Sequence, residues 1–220
     1  MPGPVAWLDA YSASANTIRM APGPDWLTAS EKLQRSSSSR SGKSIFCRNE
    51  MSQIKSGYKG VFAGERMYVA QVEAQDRKGW ISRQILDDLG EWFGIPEAAE
   101  SYARRSSELP FWAAFDGGKP VGFVAVLKHF DQAAEIYVMG ILKAYHRKGI
   151  GRLLVGEVEK WCADQDISYL QVKTLSASHP DTHYEKTRAF YRSVGFVEIE
   201  EFPNLWGTAN PCLLMIKAIR

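Results

Sequence analysis

The sequence predicts a mixed α/β domain that starts near Met67 and follows a leader of different composition. From Met67 onward, apolar residues recur with a period near two in some segments and near 3.6 in others. These periods indicate strands and helices that alternate along the chain. Residues 1–66 show neither period and contain PGP, APGP and SSSSRSGKS instead. Strands alternating with helices favour a sheet that is covered by helices.

The first half of the domain predicts one strand, two helices and a hairpin. Residues 67–74, MYVAQVEA, indicate the first strand. Apolar residues from Ile81 to Phe93 lie on one stripe at helical spacing, and a second helix is predicted over about 96–108. Residues 111–130 predict two strands joined by Asp116-Gly117-Gly118, which is a strong hairpin signal.

The second half adds four strands and two helices. Gly140, near the end of the fourth strand, predicts a bulge or a close backbone approach. One helix starts near Gly149, and another runs from Thr182 to Val194, preceded by a polar loop in which an Asp or Thr is expected to cap the helix. The predicted strands are residues 133–142, 168–177, 196–202 and 212–219. The resulting order is β-α-α-β-β-β-α-β-α-β-β.

The leader, residues 1–66, has two interpretations. It carries nine Lys and Arg against five Asp and Glu, and this net charge of +4 is weak for a nucleic-acid-binding arm. Its Ser-, Pro- and Arg-rich composition buries too little apolar surface to offset the entropy of ordering, so we expect a low-complexity, disordered segment. Alternatively, the natural protein starts at Met67, because purine-rich codons for Gly64-Glu65-Arg66 would resemble a bacterial ribosome-binding site.

Composition argues against several classes of protein. No apolar run approaches the length of a membrane span, and the N-terminus lacks the charged start and apolar core of a signal peptide. The three cysteines are far apart and odd in number, which argues against a disulfide framework and favours a reducing cytoplasm. The four histidines show no metal-ligand spacing. We therefore expect a cytoplasmic protein with no metal, no nucleic acid and no membrane as partner.

Residues 144–161, AYHRKGIGRLLVGEVEKW, place two glycines and several cationic residues at the predicted start of a helix. A helix N-terminus has unpaired N–H groups and a partial positive charge, so it attracts anions. Glycine lets the backbone approach an anion without a Cβ in the way. Because Arg147, Lys148 and Arg152 add positive charge, the pattern predicts a phosphate or pyrophosphate site.

Two motifs resemble those of the GNAT family of N-acetyltransferases. The first, Gln/Arg-x-x-Gly-x-Gly/Ala, is matched by HRKGIG from His146 to Gly151, although His146 departs from the family's Gln or Arg. The second, a tyrosine followed by Gly-Phe, is matched by FYRSVGF at residues 190–196. Tyr184 stands where the family often has asparagine. The resemblance covers 67–220 and implies a mostly antiparallel sheet of about seven strands with helices on both faces.

The resemblance also implies that acetyl-CoA is the acetyl donor. Its pyrophosphate is expected on the first motif, and its pantetheine arm beside the fourth strand, where Gly140 would open the sheet. A neutral His146 can still donate one hydrogen bond to a phosphate. The cofactor-binding residues implied in this way are Met139, Ile141, His146, Arg147, Lys148, Gly149, Ile150, Gly151 and Arg152.

Acetyl transfer to an amine needs a proton acceptor and a proton donor. Tyr191 matches the family's tyrosine, and a phenol with a pKa of about 10 can protonate a leaving thiolate. The alternative is a packing role for Tyr191 beside Phe190. Glu135 is the candidate base, because it lies on an apolar strand and shares a predicted face with Tyr137, Met139 and Ile141. Alternatively, Glu135 lies at a solvated strand end, and water carries the proton.

The acceptor is expected to be a small-molecule amine or a protein amine, and the protein is a candidate homodimer. Residues 81–108, the His179–His183 loop and Trp206 are expected to rim the acceptor pocket. Two other classes stay open. One is a GNAT-like module that binds acyl-CoA without turnover, as a sensor or interaction module. The other is a nucleotide-phosphate enzyme built on the glycine turn, although no catalytic Lys-Ser/Thr pair or Mg²⁺ carboxylates lie near it.

Overall fold

The computed structural model describes residues 58–62, 65–93 and 96–219. It contains eight strands and four α-helices within these residues. The strands are β1 (Tyr58–Phe62), β2 (Glu65–Gln71), β3 (Phe111–Asp116), β4 (Lys119–Phe130), β5 (Ala133–Ile141), β6 (Tyr169–Leu175), β7 (Val197–Phe202) and β8 (Cys212–Ala218). The helices are α1 (Gln75–Asp87), α2 (Pro96–Ser106), α3 (Ile150–Asp164) and α4 (Thr182–Ser193).

The strands form one sheet in the order β1-β2-β3-β4-β5-β6-β8-β7. Neighbouring strands are antiparallel except β5 and β6, which are parallel. This arrangement confirms the predicted mixed, mostly antiparallel sheet. The predicted hairpin is also confirmed, because Gly117 and Gly118 join β3 to β4 with φ of 55° and 85°. Two consecutive positive φ angles match the tight turn that favours glycine.

Strand β1 lies within the segment that sequence patterning assigned to the leader. Residues 58–62 pair with β2 from Tyr58↔Val69 to Phe62↔Glu65. The expectation that every element follows residue 66 is therefore wrong. The backbone partners of β1 come from β2, and the local sequence pattern does not reveal this pairing. The expectations for residues 1–57 concern a segment outside the described residues.

Helices cover both faces of the sheet, as predicted. Along β4, Val124 and Val126 belong to a core with α3, whereas Phe123 and Ala125 belong to a core with α1 and α2. Side chains alternate between the two faces of a strand, so the two cores lie on opposite sides of the sheet. In the described part of the chain, no helix is long and apolar enough to cross a membrane.

The parallel pair β5–β6 opens towards its carboxyl end. Pairing runs from Ala133↔Tyr169 only as far as Ile136↔Val172, although β5 continues to Ile141. The edge of β5 that faces β6 is therefore open over residues 137–141.

The sheet irregularity on β5 lies at Tyr137, so of the two alternatives predicted for Gly140 the bulge is wrong. Ala125 pairs with Val138 and Val126 pairs with Ile136, so Tyr137 is the extra residue. A Cβ on Gly140 would come within 3.0 Å of Ile85 and of Phe123. Gly140 therefore allows α1 to pack closely on the sheet.

The bulge at Tyr137 also changes which side chains share a face. Met139 and Ile141 pack against the core under α3, whereas Tyr137 packs against the core under α1 and α2. Glu135 alternates with residues of the α3 core, so it lies on the same face as Tyr137. The predicted common face of Glu135, Tyr137, Met139 and Ile141 is wrong, because the extra residue reverses the alternation.

Candidate active site

The loop between β5 and α3 has a backbone that favours an anion site. After a 3-10 turn at Lys143–Tyr145, Arg147 and Gly149 adopt positive φ angles of 64° and 82°. Gly149 is the N-cap of α3, and no side chain caps this end of the helix. A Cβ on Gly149 would meet no atom within 4 Å, so the space beside it is open. Glycine is required there for the left-handed conformation and not by crowding.

A run of backbone amides in this loop has no backbone partners within the described residues. Within the described residues, the N–H groups of residues 147–151 donate to no backbone carbonyl, and the first hydrogen bonds of α3 begin at Arg152 and Leu153. Free amides and the helix dipole together attract negative charge. The backbone of the predicted motif therefore suits a phosphate.

The side chains of this motif make contacts of their own within the protein. His146 Nε2 lies 2.7 Å from the carbonyl oxygen of Ile141, so this nitrogen carries the proton and donates. Arg152 Nη1 donates to the Ser193 carbonyl at 3.1 Å, at the end of α4. Lys148 Nζ lies 4.6 Å from the Tyr145 ring centroid. The side chains of His146 and Arg152 therefore already bind backbone carbonyls, whereas the amides of residues 147–151 have no backbone acceptor within the described residues.

Gly151 has a different structural role from Gly149. A Cβ on Gly151 would lie 2.8 Å from Phe190 Cζ and 3.3 Å from Ile141 Cδ1. The first turn of α3 therefore packs directly against α4 and β5. The absence of a side chain at Gly151 brings the second motif, which begins at Phe190, close to the first.

Tyr191 is buried on α4, with 5% of its surface exposed. Its ring contacts those of Phe190 and Phe196, with centroids 5.3 and 5.4 Å away. Its hydroxyl forms no hydrogen bond within the described part of the chain. Burial raises the pKa of Tyr191 above its ordinary value of 10.0, and Tyr184 adds to this shift. The phenol therefore stays protonated at neutral pH.

Two contacts position α4. Asp181 is the N-cap, and its carboxylate accepts from the amides of His183 and Tyr184 at 2.7 and 3.1 Å, which confirms the predicted polar cap. Buried Arg188 donates to the carbonyls of Leu175 and Ser176 at 2.8 and 3.1 Å. Arg188 thus ties α4 to the end of β6. Sequence analysis missed it, because an arginine on a helix is usually exposed.

Glu135 is the centre of a buried polar cluster. Its Oε2 accepts hydrogen bonds from His129 Nε2 at 2.7 Å, Gln171 Nε2 at 2.8 Å and Lys173 Nζ at 2.5 Å. Burial raises the pKa of Glu135, but these partners outweigh it and leave the pKa below its ordinary value of 4.5. Glu135 is therefore an ionised carboxylate at neutral pH. No hydrogen bond joins it to Tyr191 within the described residues.

Trp92, which sequence analysis placed only on the apolar stripe from Ile81 to Phe93, connects the segment between α1 and α2 to the first motif and to the start of α4. Its ring lies 5.8 Å from the His146 ring and 4.9 Å from the His183 ring. Tyr184 donates from its hydroxyl to the Trp92 carbonyl at 3.1 Å, across 92 residues of sequence. Tyr184, at the family's asparagine position, therefore anchors α4 to the α1–α2 segment.

The family assignment follows from comparison with known proteins. Residues 80–196 match the acetyltransferase (GNAT) family, which is more than half of the chain. The chain therefore belongs to the GNAT family and is an acetyltransferase. It is similar to an uncharacterized N-acetyltransferase of Chlorobaculum tepidum, with 29% identity over 135 residues, or 60% of this chain and 79% of that protein.

Solved structures share the fold. The ribosomal-protein-S18-alanine N-acetyltransferase of Escherichia coli has a TM-score of 0.55 and 18% identity, covering 70% of this chain and 94% of its own. The aminoglycoside 6'-N-acetyltransferase of Enterococcus faecium has a TM-score of 0.54 and 20% identity, covering 69% of this chain and 97% of its own. One of these names specifies a protein acceptor and the other an aminoglycoside.

Proposed function

We propose that this acetyltransferase moves the acetyl group of acetyl-CoA to an amine acceptor by direct attack. The observation that carries the proposal is the run of free amides at residues 147–151, at the end of the opening between β5 and β6. The negative charge of a pyrophosphate matches the partial positive charge of these amides. An extended pantetheine arm suits the open edge of β5, near Met139 and Ile141.

The reaction requires two proton transfers. An acceptor amine with a pKa of about 10.4 is protonated at neutral pH and must lose a proton before it attacks the thioester carbonyl. The new C–N bond forms as the C–S bond breaks, and the sulfur leaves as a thiolate. Tyr191 is the proposed donor that protonates the thiolate, because its phenol is protonated and its hydroxyl makes no hydrogen bond within the described residues.

Glu135 is the proposed acceptor of the amine proton, directly or through water. It is ionised, and His129 and Lys173 stabilise its negative charge. We expect Glu135→Gln to lower kcat by about 10²-fold with unchanged acetyl-CoA affinity, since the amide keeps the shape but accepts no proton. Exposed Glu108→Gln is the control in the same thiol-release assay. A wild-type kcat in Glu135→Gln would assign the proton transfer to water alone.

Alanine at either of the two motif glycines is expected to weaken the site, for a different physical reason at each position. Gly149→Ala places a side chain in the left-handed region, and this costs about 1–2 kcal/mol. Gly151→Ala drives a Cβ against Phe190, and overpacking costs about 1–3 kcal/mol. Both variants should weaken acetyl-CoA binding by about tenfold or more, because both disturb the amides of the loop.

Calorimetric titration with acetyl-CoA and thermal melting measure these effects. Gly156→Ala, on the same helix and with nothing within 4 Å of the added Cβ, is the control and should stabilise α3 without affecting affinity. Unchanged acetyl-CoA affinity in both motif variants would contradict the proposed pyrophosphate site.

Release of free CoA thiol across a panel of amines tests the proposed function itself. The panel contains small amines, amino acids, aminoglycosides and peptides with a free N-terminus. Thiol release with at least one amine is expected. Tight acetyl-CoA binding without thiol release for any amine would instead favour a non-catalytic acyl-CoA sensor.

A further inference from the structure

We propose that the acceptor is an amine whose ammonium group is attached to an aromatic or otherwise apolar body, and not a polycationic sugar. This inference rests on the proposed acetyl transfer. It concerns a set of rings on the α1–α2 side of the open end of the sheet, which we call the ring row. The ring row consists of Trp92, Phe93, Tyr102, Tyr137, His146 and His183.

The ring row consists of two groups of rings in contact, and the groups meet at the adjacent residues Trp92 and Phe93. Tyr102 lies 5.6 Å from Phe93 and 5.6 Å from Tyr137, between ring centroids. Trp92, next to Phe93 in sequence, contacts the rings of His146 and His183. One end of the ring row therefore lies at the cofactor loop, through His146. The other end lies at Tyr137, two residues from Glu135 and on the same face of β5.

The rings are only partly covered by the described residues. All six members of the ring row are half-buried, in contrast to the fully buried Phe111 and Phe123 beneath α1. A half-buried ring leaves apolar surface in water, and an apolar ligand body would remove that surface from water. Ring faces also attract a single cation that lies over them.

Three carboxylates near the ring row already have partners. Glu135 accepts from Lys173 and His129, and Asp181 caps α4. Glu91, next to Trp92, accepts two hydrogen bonds from Lys143 Nζ at 2.7 and 2.8 Å. A polycationic sugar needs several carboxylates to replace its hydration, whereas one ammonium needs only one charge and the ring faces. The charge balance therefore favours an acceptor with a single ammonium group.

The test compares three amines in a thiol-release assay: 2-phenylethylamine, ethylamine and kanamycin. We expect kcat/KM for 2-phenylethylamine to exceed the value for ethylamine by about tenfold or more, because a buried phenyl group adds apolar contact. Kanamycin should be the poorest of the three acceptors. Tyr102→Leu keeps apolar volume but removes the ring, and Phe93→Leu is a second variant in case the first fails to fold.

Each variant should lower the preference for 2-phenylethylamine over ethylamine by about fivefold while acetyl-CoA affinity stays unchanged. Phe130→Leu is the control, because Phe130 is 79% exposed at the far end of β4. Calorimetry of 2-phenylethylamine with the CoA-loaded protein separates the two proposals. Binding without turnover of any amine would refute the proposed transfer but support the ring row as an amine site. No binding of 2-phenylethylamine, an equal or higher kcat/KM for ethylamine or kanamycin, or an unchanged preference in both variants would overturn the inference.

Discussion

Tyr191→Phe is expected to lower kcat by about 10²–10⁴-fold and to leave acetyl-CoA affinity unchanged. The substitution keeps the ring, and therefore its contacts with Phe190 and Phe196. It removes only the hydroxyl, which has no hydrogen-bond partner within the described residues. The melting temperature should therefore stay near the wild-type value, so that a loss of rate reports on chemistry and not on folding.

Steady-state thiol release and calorimetric titration with acetyl-CoA measure the two quantities. Tyr68→Phe is a matched control, because Tyr68 lies on β2 and its ring stacks on Phe115 with centroids 5.1 Å apart. Since burial raises the pKa of Tyr191, kcat should show no loss from deprotonation of this phenol as the pH rises to about 9. A wild-type kcat in Tyr191→Phe would make Tyr191 a packing residue and water the proton donor.

Lys173→Met is expected to lower the free energy of unfolding by about 3–5 kcal/mol. Glu135 and Lys173 expose only 8% and 15% of their side chains, so removing the cation leaves a buried carboxylate with fewer partners. Replacing both partners, as in Glu135→Leu with Lys173→Met, should cost far less, because no unpaired charge remains. Denaturant unfolding of Glu135→Leu, Lys173→Met and the double variant gives the coupling free energy between Glu135 and Lys173.

Lys160→Met is the control for an exposed pair. Lys160 lies 2.7 Å from Glu157 on α3 with 58% of its side chain exposed, and such pairs contribute about 0–1 kcal/mol. An equal loss in Lys160→Met and Lys173→Met would contradict the importance of burial for the Glu135 cluster.

The same cluster predicts how stability depends on pH. The pKa of Glu135 is lower in the folded protein than its ordinary value of 4.5. Its contribution is therefore present above pH 4.5 and is lost as the pH falls through the lowered pKa. Melting curves of the wild type should show this acid loss, and those of Glu135→Gln should show a smaller one. Identical acid profiles would mean that other carboxylates dominate acid unfolding.

Sequence alone predicted the features that depend on short stretches of backbone. The hairpin at Asp116-Gly117-Gly118 and the cap at Asp181 each involve residues only a few positions apart. The glycine turn before α3 is of the same kind, since Gly149 adopts the positive φ that glycine tolerates best. The positions of Gly149 and Tyr191 on their elements were therefore predictable, whereas their roles in binding and catalysis remain predictions.

Sequence patterning failed where the pairing between strands determined the structure. Gly140 was expected to mark a bulge or a close approach, but the bulge lies at Tyr137, because pairing with β4 decides which residue is extra. Strand β1 was missed, because a short edge strand gains most of its stability from the strand beside it.

The sequence by itself determined the family motifs, the order of most elements and the positive charge at the N-terminus of α3. Only the tertiary structure decided which side chains meet around the site. Lys173 and Glu135 are 38 residues apart, and Tyr184 and Trp92 are 92 residues apart. Contacts at such separations depend on how strands pair and helices pack, and local periodicity carries no information about them. The environment of Glu135 and the ring row could therefore be described only once the sheet and its helices were assembled.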